Sequence, residues 1–254
     1  MVQLMKFLVL SFLSAFALTS GLAAEKESRF FEMRIYYAAP GKLDDLQARF
    51  RNHTVKLFEK HEMTNIGYWT PVTNTESKLI YLLAYPSREA REKSWKEFMA
   101  DPEWQQVAKE TEKNGRLVAK AESIYLQATD FSPAVTPNGA GAQVYELRTY
   151  NAAPGKLDNL LARFRDHTVG LFKHHGMGQF GYWVPTEKKD GAGEKLIYIL
   201  NHKSIEAAAE SFKAFRADPD WVKAKGDSEK EGSLTVKDGV QSVFMKPTDY
   251  SPAK

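Results

Sequence analysis

Apolar and polar residues alternate from Phe30 to Tyr37. Phe31, Met33, Ile35 and Tyr37 point to one side and Phe30, Glu32, Arg34 and Tyr36 to the other, so a β-strand is predicted there. Pro40-Gly41 breaks the strand. Leu43, Leu46, Phe50, His53, Leu57 and His61 then recur at spacings of three and four, the stripe of an amphipathic helix. Ile66 to Thr70 and Leu79 to Tyr85 are β-branched and aromatic runs on either side of a polar turn, which predicts a hairpin. A second helix begins near Ser87, and Asp101-Pro102 restarts it with Asp as N-cap and Pro at the first helical position. Leu117 to Gln127 closes the series as a strand, giving the order β-α-β-β-α-β.

The same pattern is then read out again. Residues 30–71 align without gaps on residues 144–185 at a constant offset of 114, and 26 of those 42 positions are identical. Identity at that level marks a duplication. The offset widens through KKDGAGE at 188–194, after which LIYLL at 79–83 matches LIYIL at 196–200 and ADPEW at 100–104 matches ADPDW at 217–221. DFSP at 130–133 later falls opposite DYSP at 249–252. The Pro, Gly and Ala content of 134–141 reads as a linker between units at 28–133 and 142–252.

Right-handed crossovers around an antiparallel sheet make each unit ferredoxin-like, with one sheet face under its own helices and the other bare. The second copy can cover that bare face. The predicted fold class is therefore α+β: two tandem ferredoxin-like βαββαβ units forming an intramolecular dimeric α+β barrel. Two independent beads that pair with other chains are the alternative.

Glu32-x-Arg34-x-Tyr36 followed by APGKLD, RFR-x-HT, LF, a later His, GYW-x-P and ADP-x-W occurs in both copies, and in this combination the chain resembles the NIPSNAP family. The resemblance covers nearly all of the chain beyond its first residues and implies the dimeric α+β barrel fold. Animal relatives in that family are tied to mitochondria and vesicle handling, while exported bacterial-type members carry no generally agreed reaction. The resemblance thus informs the fold and says little about mechanism.

Composition narrows the picture. Of 254 residues, 43% are hydrophobic and 26% charged, enough to bury two modest cores. The 35 basic and 32 acidic residues are interspersed, so the net charge of +3 forms no basic block and no nucleic-acid partner is suggested. Lys6, the apolar run from Phe7 to Leu18 and the small residues Gly21 and Ala23 predict a secretory signal peptide over 1–23, and with it export to the periplasm or beyond. An uncleaved anchor is the competing reading, but the run falls short of the roughly 20 residues that span a bilayer. There is no Cys, so disulfides and a lipid-modified cysteine are excluded.

Candidate chemistry sits on two elements of each copy. His53 and His167 share the helical stripe with Leu46, Phe50 and Leu57 and their counterparts, so both are expected to face inward, as pocket groups or as histidines satisfied by neighbours. Glu32 with Arg34, and Glu146 with Arg148, share one strand face; if the sheets meet, all four approach the barrel interior as an anion-binding pocket or as a closed ion-pair network. Tyr36 and Tyr150 add hydroxyls to either. His61 and His175 lie eight residues after the first pair, roughly 12 Å along the axis, too far to share an ion with it, and are placed as helix C-caps together with His174. No metal site and no cofactor are assigned, and neither a phosphate loop nor a nucleophile elbow is present. Three functions remain open: a binding protein for a small polar or anionic ligand; an enzyme of the monooxygenase or isomerase type hosted by this barrel, including a haem-dependent one with His53 or His167 as axial ligand; and an interaction scaffold working through its outer helices. The pseudo-dimer within the chain leaves further homo-oligomers possible in principle.

Overall fold

The computed structural model describes residues 27–137 and 144–254; the signal peptide expected over 1–23 lies outside them, as does part of the linker expected over 134–141. The first copy contains β1 (Phe30–Ala38), α1 (Leu43–Arg49), a π-helical turn (Phe50–Thr54), α2 (Val55–Lys60), β2 (Thr64–Pro71), β3 (Lys78–Tyr85), α3 (Arg88–Ala100), α4 (Pro102–Thr111) and β4 (Val118–Ala128). The second repeats it as β5 (Val144–Ala152), α5 (Leu157–Arg163), a π-helical turn (Phe164–Thr168), α6 (Val169–His174), β6 (Gly178–Pro185), β7 (Lys195–His202), α7 (Ile205–Ala217), α8 (Pro219–Ser228) and β8 (Thr235–Pro247). The starts of α3, α4, α7 and α8 have a local cause. The Ser87 and Ser204 hydroxyls accept from Ala90 and Ala207 N–H, and the Asp101 and Asp218 carboxylates cap α4 and α8, whose first residues are Pro. Gly41 and Gly155 carry φ of +72° and +71° in the turns after β1 and β5, a region open to glycine without steric penalty.

The fold is α+β, and its strands form one closed antiparallel ring in the order β1-β3-β2-β8-β5-β7-β6-β4. Within each copy β1 pairs with β3 and β4, and β5 with β7 and β8. The copies join where Trp69 lies opposite Pro247 on β2 and β8, and where Leu126 lies opposite Pro185 on β4 and β6. Closure removes the free edges that each four-stranded sheet would otherwise carry.

The ring's interior is apolar. Phe31, Met33, Trp69, Ile80 and Leu82 meet Tyr145, Leu147, Phe180, Trp183, Ile197 and Ile199 in a single core drawn from both copies. Trp69 and Trp183 are wholly buried in it. Each is admitted by a glycine two residues earlier: a Cβ added at Gly67 or Gly181 would come within 2.3 Å of the indole. Outside the ring each sheet is covered by its own helices in a separate aromatic layer, around Phe50, Phe58, Tyr68 and Phe98 in the first copy and Phe164, Phe172, Tyr182 and Phe215 in the second.

Two expectations are corrected here. Glu32, Arg34, Glu146 and Arg148 do not approach the barrel interior; the Phe31 face turns inward and the charged face turns outward, under the helices. The apolar face is the one sealed from water on all sides, whereas the charged face finds its hydrogen-bond partners on the flanking strands of both copies and, in the first copy, on α3 as well. His53 and His167 also do not face inward: both are exposed. The π-helical turn holds an extra residue, so Val55 N–H bonds Phe50 C=O five residues back. That shift gives the inward place to Thr54 and Thr168, which are buried and donate to the Arg49 and Arg163 carbonyls.

The segment that follows each copy crosses to the other. Thr129 N–H bonds Tyr182 C=O, Tyr182 N–H donates to Ser132 Oγ, and Phe131 stacks on Phe164. Symmetrically, Thr248 N–H bonds Tyr68 C=O, Tyr68 N–H donates to Ser251 Oγ, and Tyr250 stacks on Phe50. Bidentate pairs Arg165–Asp130 and Arg51–Asp249 flank these contacts on the surface. Exposed pairs contribute little, whereas aromatic burial contributes much. Tyr250→Ala is therefore expected to lower unfolding free energy by about 2–3 kcal/mol in urea denaturation, while Asp249→Asn leaves the transition midpoint nearly unchanged.

Candidate functional site

β1 places Glu32, Arg34 and Tyr36 on its outward face, and α3 crosses above them with Arg91 and Trp95 one turn apart. Glu32 is fully buried and accepts from every side. Arg91 grips it with two bonds of 2.9 and 2.8 Å, Arg34 adds one at 2.8 Å, the Trp95 indole donates at 2.9 Å, Tyr85 donates at 3.2 Å and Ser123 completes the set. Burial alone would raise the Glu32 carboxyl, but the bonds and charges of Arg91 and Arg34 outweigh it and hold the group at about 2. One carboxylate thus answers two guanidiniums. Arg34 keeps an unpartnered, buried Nε and lies 4.3 Å from the centroid of Trp95.

Beside this cluster a cleft of about 560 Å³ opens between the outer sheet face and the helices. Aromatic walls come from Tyr36, Phe50, Trp95, Phe98 and Trp104, and cations from Arg34, Arg49, Arg116 and Lys120. Arg49 is buried, bonds Glu112 at 3.0 Å and lies 5.3 Å from the Trp104 ring centroid, with its Nε unpartnered. Arg34 pairs with Glu32, Arg49 with Glu112 and Lys120 with Glu122, which leaves Arg116, on the rim of an aromatic floor, as the lining cation without an ion pair among the described residues. The π-helical turn shapes one wall, because it delivers Phe50 and Thr54 to the cleft together.

The second copy preserves the frame and loses the opening. Glu146 accepts from Arg148, from Ser242 at 2.5 Å and bonds His202 at 3.1 Å, with His202 where the first copy has Tyr85. Burial raises the Glu146 carboxyl, but bonding to His202 and the Arg148 charge prevail and hold it below the usual carboxylate range. Ala208 and Phe212 replace Arg91 and Trp95. The equivalent cleft has shrunk to about 180 Å³, with Lys225 where Ala108 stood and Ser233 where Arg116 stood.

The structure brings Glu32, Arg34 and Tyr36 together, with Arg34 bonded to the Tyr36 hydroxyl at 3.2 Å, and it does the same for Glu146, Arg148 and Tyr150. It keeps the two sets apart, one under each copy's helices. His53 and His167 belong to neither; they line outer grooves of about 240 and 460 Å³, against α4 and α8 respectively. Residues that the sequence pattern did not single out complete the first site: Arg91, Ser123, Arg49, Glu112 and Arg116. A signal for some of them was present, since Arg49, Glu112 and Ser123 recur as Arg163, Glu229 and Ser242. His61 and His175 do end α2 and α6, but their rings bond Asp101 and Asp218, the N-caps of α4 and α8, at 2.7 Å.

Comparison with known proteins gives a consistent family. The NIPSNAP family model matches residues 31–133 and again 145–252. Mouse protein NipSnap homolog 3B is 25% identical over 234 residues, covering 91% of this chain and 88% of its own. Among solved structures, a NIPSNAP domain protein from Burkholderia xenovorans aligns at 22% identity over 41% of this chain and 98% of its own, with a TM-score of 0.37. An anthrone oxidase-like protein aligns over 89% of this chain and 93% of its own, with a TM-score of 0.56 at 12% identity, a likeness of fold alone.

Proposed function

The chain belongs to the NIPSNAP family, and on that premise we propose that it is an exported binding protein whose first copy holds a small anionic molecule, a carboxylate or phosphate on a planar apolar body. In this reading the two ferredoxin-like units act as an intramolecular dimeric α+β barrel, with the second as a structural partner whose own cleft has narrowed.

One observation carries the proposal: the aromatic cleft of about 560 Å³ is lined by Arg34, Arg49, Arg116 and Lys120, of which Arg116 has no ion pair among the described residues. Arg34 and Arg49 each present an unpartnered Nε beside it. Cations fixed over aromatic rings recognise anions with geometric selectivity, and buried donors without partners gain most from a ligand that bonds them. An enzyme reading gains less. The cleft lining contains no histidine, and the imidazoles expected as haem ligands point away from it.

A thermal-shift panel of aromatic carboxylates, phosphate esters and their neutral amides tests the reading. Anionic members are expected to raise the midpoint and the amides to leave it unchanged. Arg116→Ser installs the residue of the narrowed copy at an exposed position and is expected to weaken binding about tenfold, the loss of one charge-assisted bond. A panel without a shift, or a variant that responds like the wild type, sinks the proposal.

A further inference from the structure

Lys60 and His174 occupy equivalent positions at the ends of α2 and α6, and the exchange moves a cation. In the first copy, Lys60 Nζ lies 2.8 Å from Asp101 Oδ2 and 3.0 Å from Glu103 Oε2, while His61 Nε2 bonds the same Oδ2 at 2.7 Å. The ammonium therefore sits between two carboxylates beside an imidazole. In the second copy the carboxylates remain as Asp218 and Asp220 and the imidazole as His175, but the ammonium has become the imidazole of His174. Among the described residues no Lys or Arg pairs with Asp218.

We propose that His174, His175 and Asp218 form a binding site for a divalent transition-metal ion, with Zn²⁺ as the reference ion, in the second copy only. One ligand atom from each lies within 4.8 Å of the others. Adjacent residues on a helix normally diverge. Here His175 is the C-cap, at φ −89° and ψ 19°, and Gly176 turns the chain at φ +73°, which brings the two rings to 4.9 Å between centroids. The carboxylate is already oriented, because Asp218 Oδ1 accepts the Asp220 N–H at 2.8 Å and leaves Oδ2 directed at His175. Such outer bonds fix the aim of metal-ligating groups.

Two imidazoles and a carboxylate suit Zn²⁺ and its neighbours in the first transition row, with water completing a tetrahedron. Coordination requires the His175–Asp218 contact to open from 2.7 Å to about 3.3 Å, the ligand separation set by bonds near 2.0 Å. His174 is exposed and the other two are half-buried, so that adjustment disturbs no core packing. A dication there balances Asp218 and Asp220 as Lys60 balances Asp101 and Glu103. The two copies thus solve one charge problem in different ways.

Calorimetric titration of the tag-free chain with Zn²⁺ at pH 7.5 tests this, paired with imidazole NMR. One ion per chain is expected, with the ring signals of His174 and His175 shifting and those of His61 unmoved. His174→Lys copies the first copy at an exposed position; it is expected to keep the thermal midpoint and lose at least tenfold in affinity. Lys60→His is expected to raise the stoichiometry to two. The proposal is overturned by a wild type without saturable binding, by a His174→Lys chain that binds as the wild type does, or by a Lys60→His chain that still takes one ion.

Discussion

Glu32→Ala is expected to lower the stability of the folded chain by about 3–5 kcal/mol, because it strands Arg34 without a counter-charge and leaves Arg91 only the exposed Glu92. Both guanidiniums are largely buried, at 14% and 11% side-chain exposure, so water compensates little. For a chain of this length the thermal midpoint falls on the order of 10 °C. Glu146→Ala removes the counterpart and costs less, since Glu146 opposes one arginine where Glu32 opposes two. The same cluster sets an acid limit. The Glu32 carboxyl is depressed from 4.5 to about 2, so its contribution is complete above pH about 4.5 and drains away as pH falls through about 2. Roughly 3 kcal/mol is lost across that window. Urea midpoints measured from pH 5 to pH 2 check it: wild type should lose stability steeply, and Glu32→Gln, already destabilised, should show a flatter profile. Parallel profiles would mean that Glu32 does not govern acid sensitivity.

Trp69→Ala is expected to cost about 3–5 kcal/mol and to destabilise both copies in one transition. The Trp69 ring packs 5.4 Å from Tyr145 and 5.7 Å from Phe180, both on the other copy, while Trp183 reaches back to Phe31 at 5.7 Å. A core assembled from both halves cannot lose one half and keep the other. Differential scanning calorimetry should give a single peak for wild type and variant, with calorimetric and van't Hoff enthalpies equal. Two resolved transitions in Trp69→Ala would show that the copies have separate cores.

Periodicity made the elements legible: the strand at β1, the hairpin of β2 and β3, and the Asp-Pro start of α4 all lie where the pattern places them. The duplication was equally plain from APGKLD, GYW and ADP-x-W. Three features escaped for physical reasons. A spacing of three or four places both His53 and Thr54 near the stripe below Phe50, and only the π-helical turn decides between them. Alternation along β1 separates Phe31 from Glu32 but does not say which face meets helices, a matter of long-range pairing. The cleft needs Arg49, Trp95 and Arg116 at once, and these come from three elements whose separate patterns read only as amphipathic helix and strand entry.

The tails that cross between copies also dictate an order of assembly. Tyr68 waits for Ser251, 183 residues further on, and Arg51 for Asp249, 198 residues on. While the second copy is still being made, β2 carries a bare edge of hydrogen-bonding groups, and β4 waits in the same way for β6. Closing such distant pairs is slow. Until the ring closes, the edge that should receive β8 accepts the same strand from a neighbouring chain equally well. Crowded refolding should therefore yield strand-exchanged dimers, in proportions set by protein concentration.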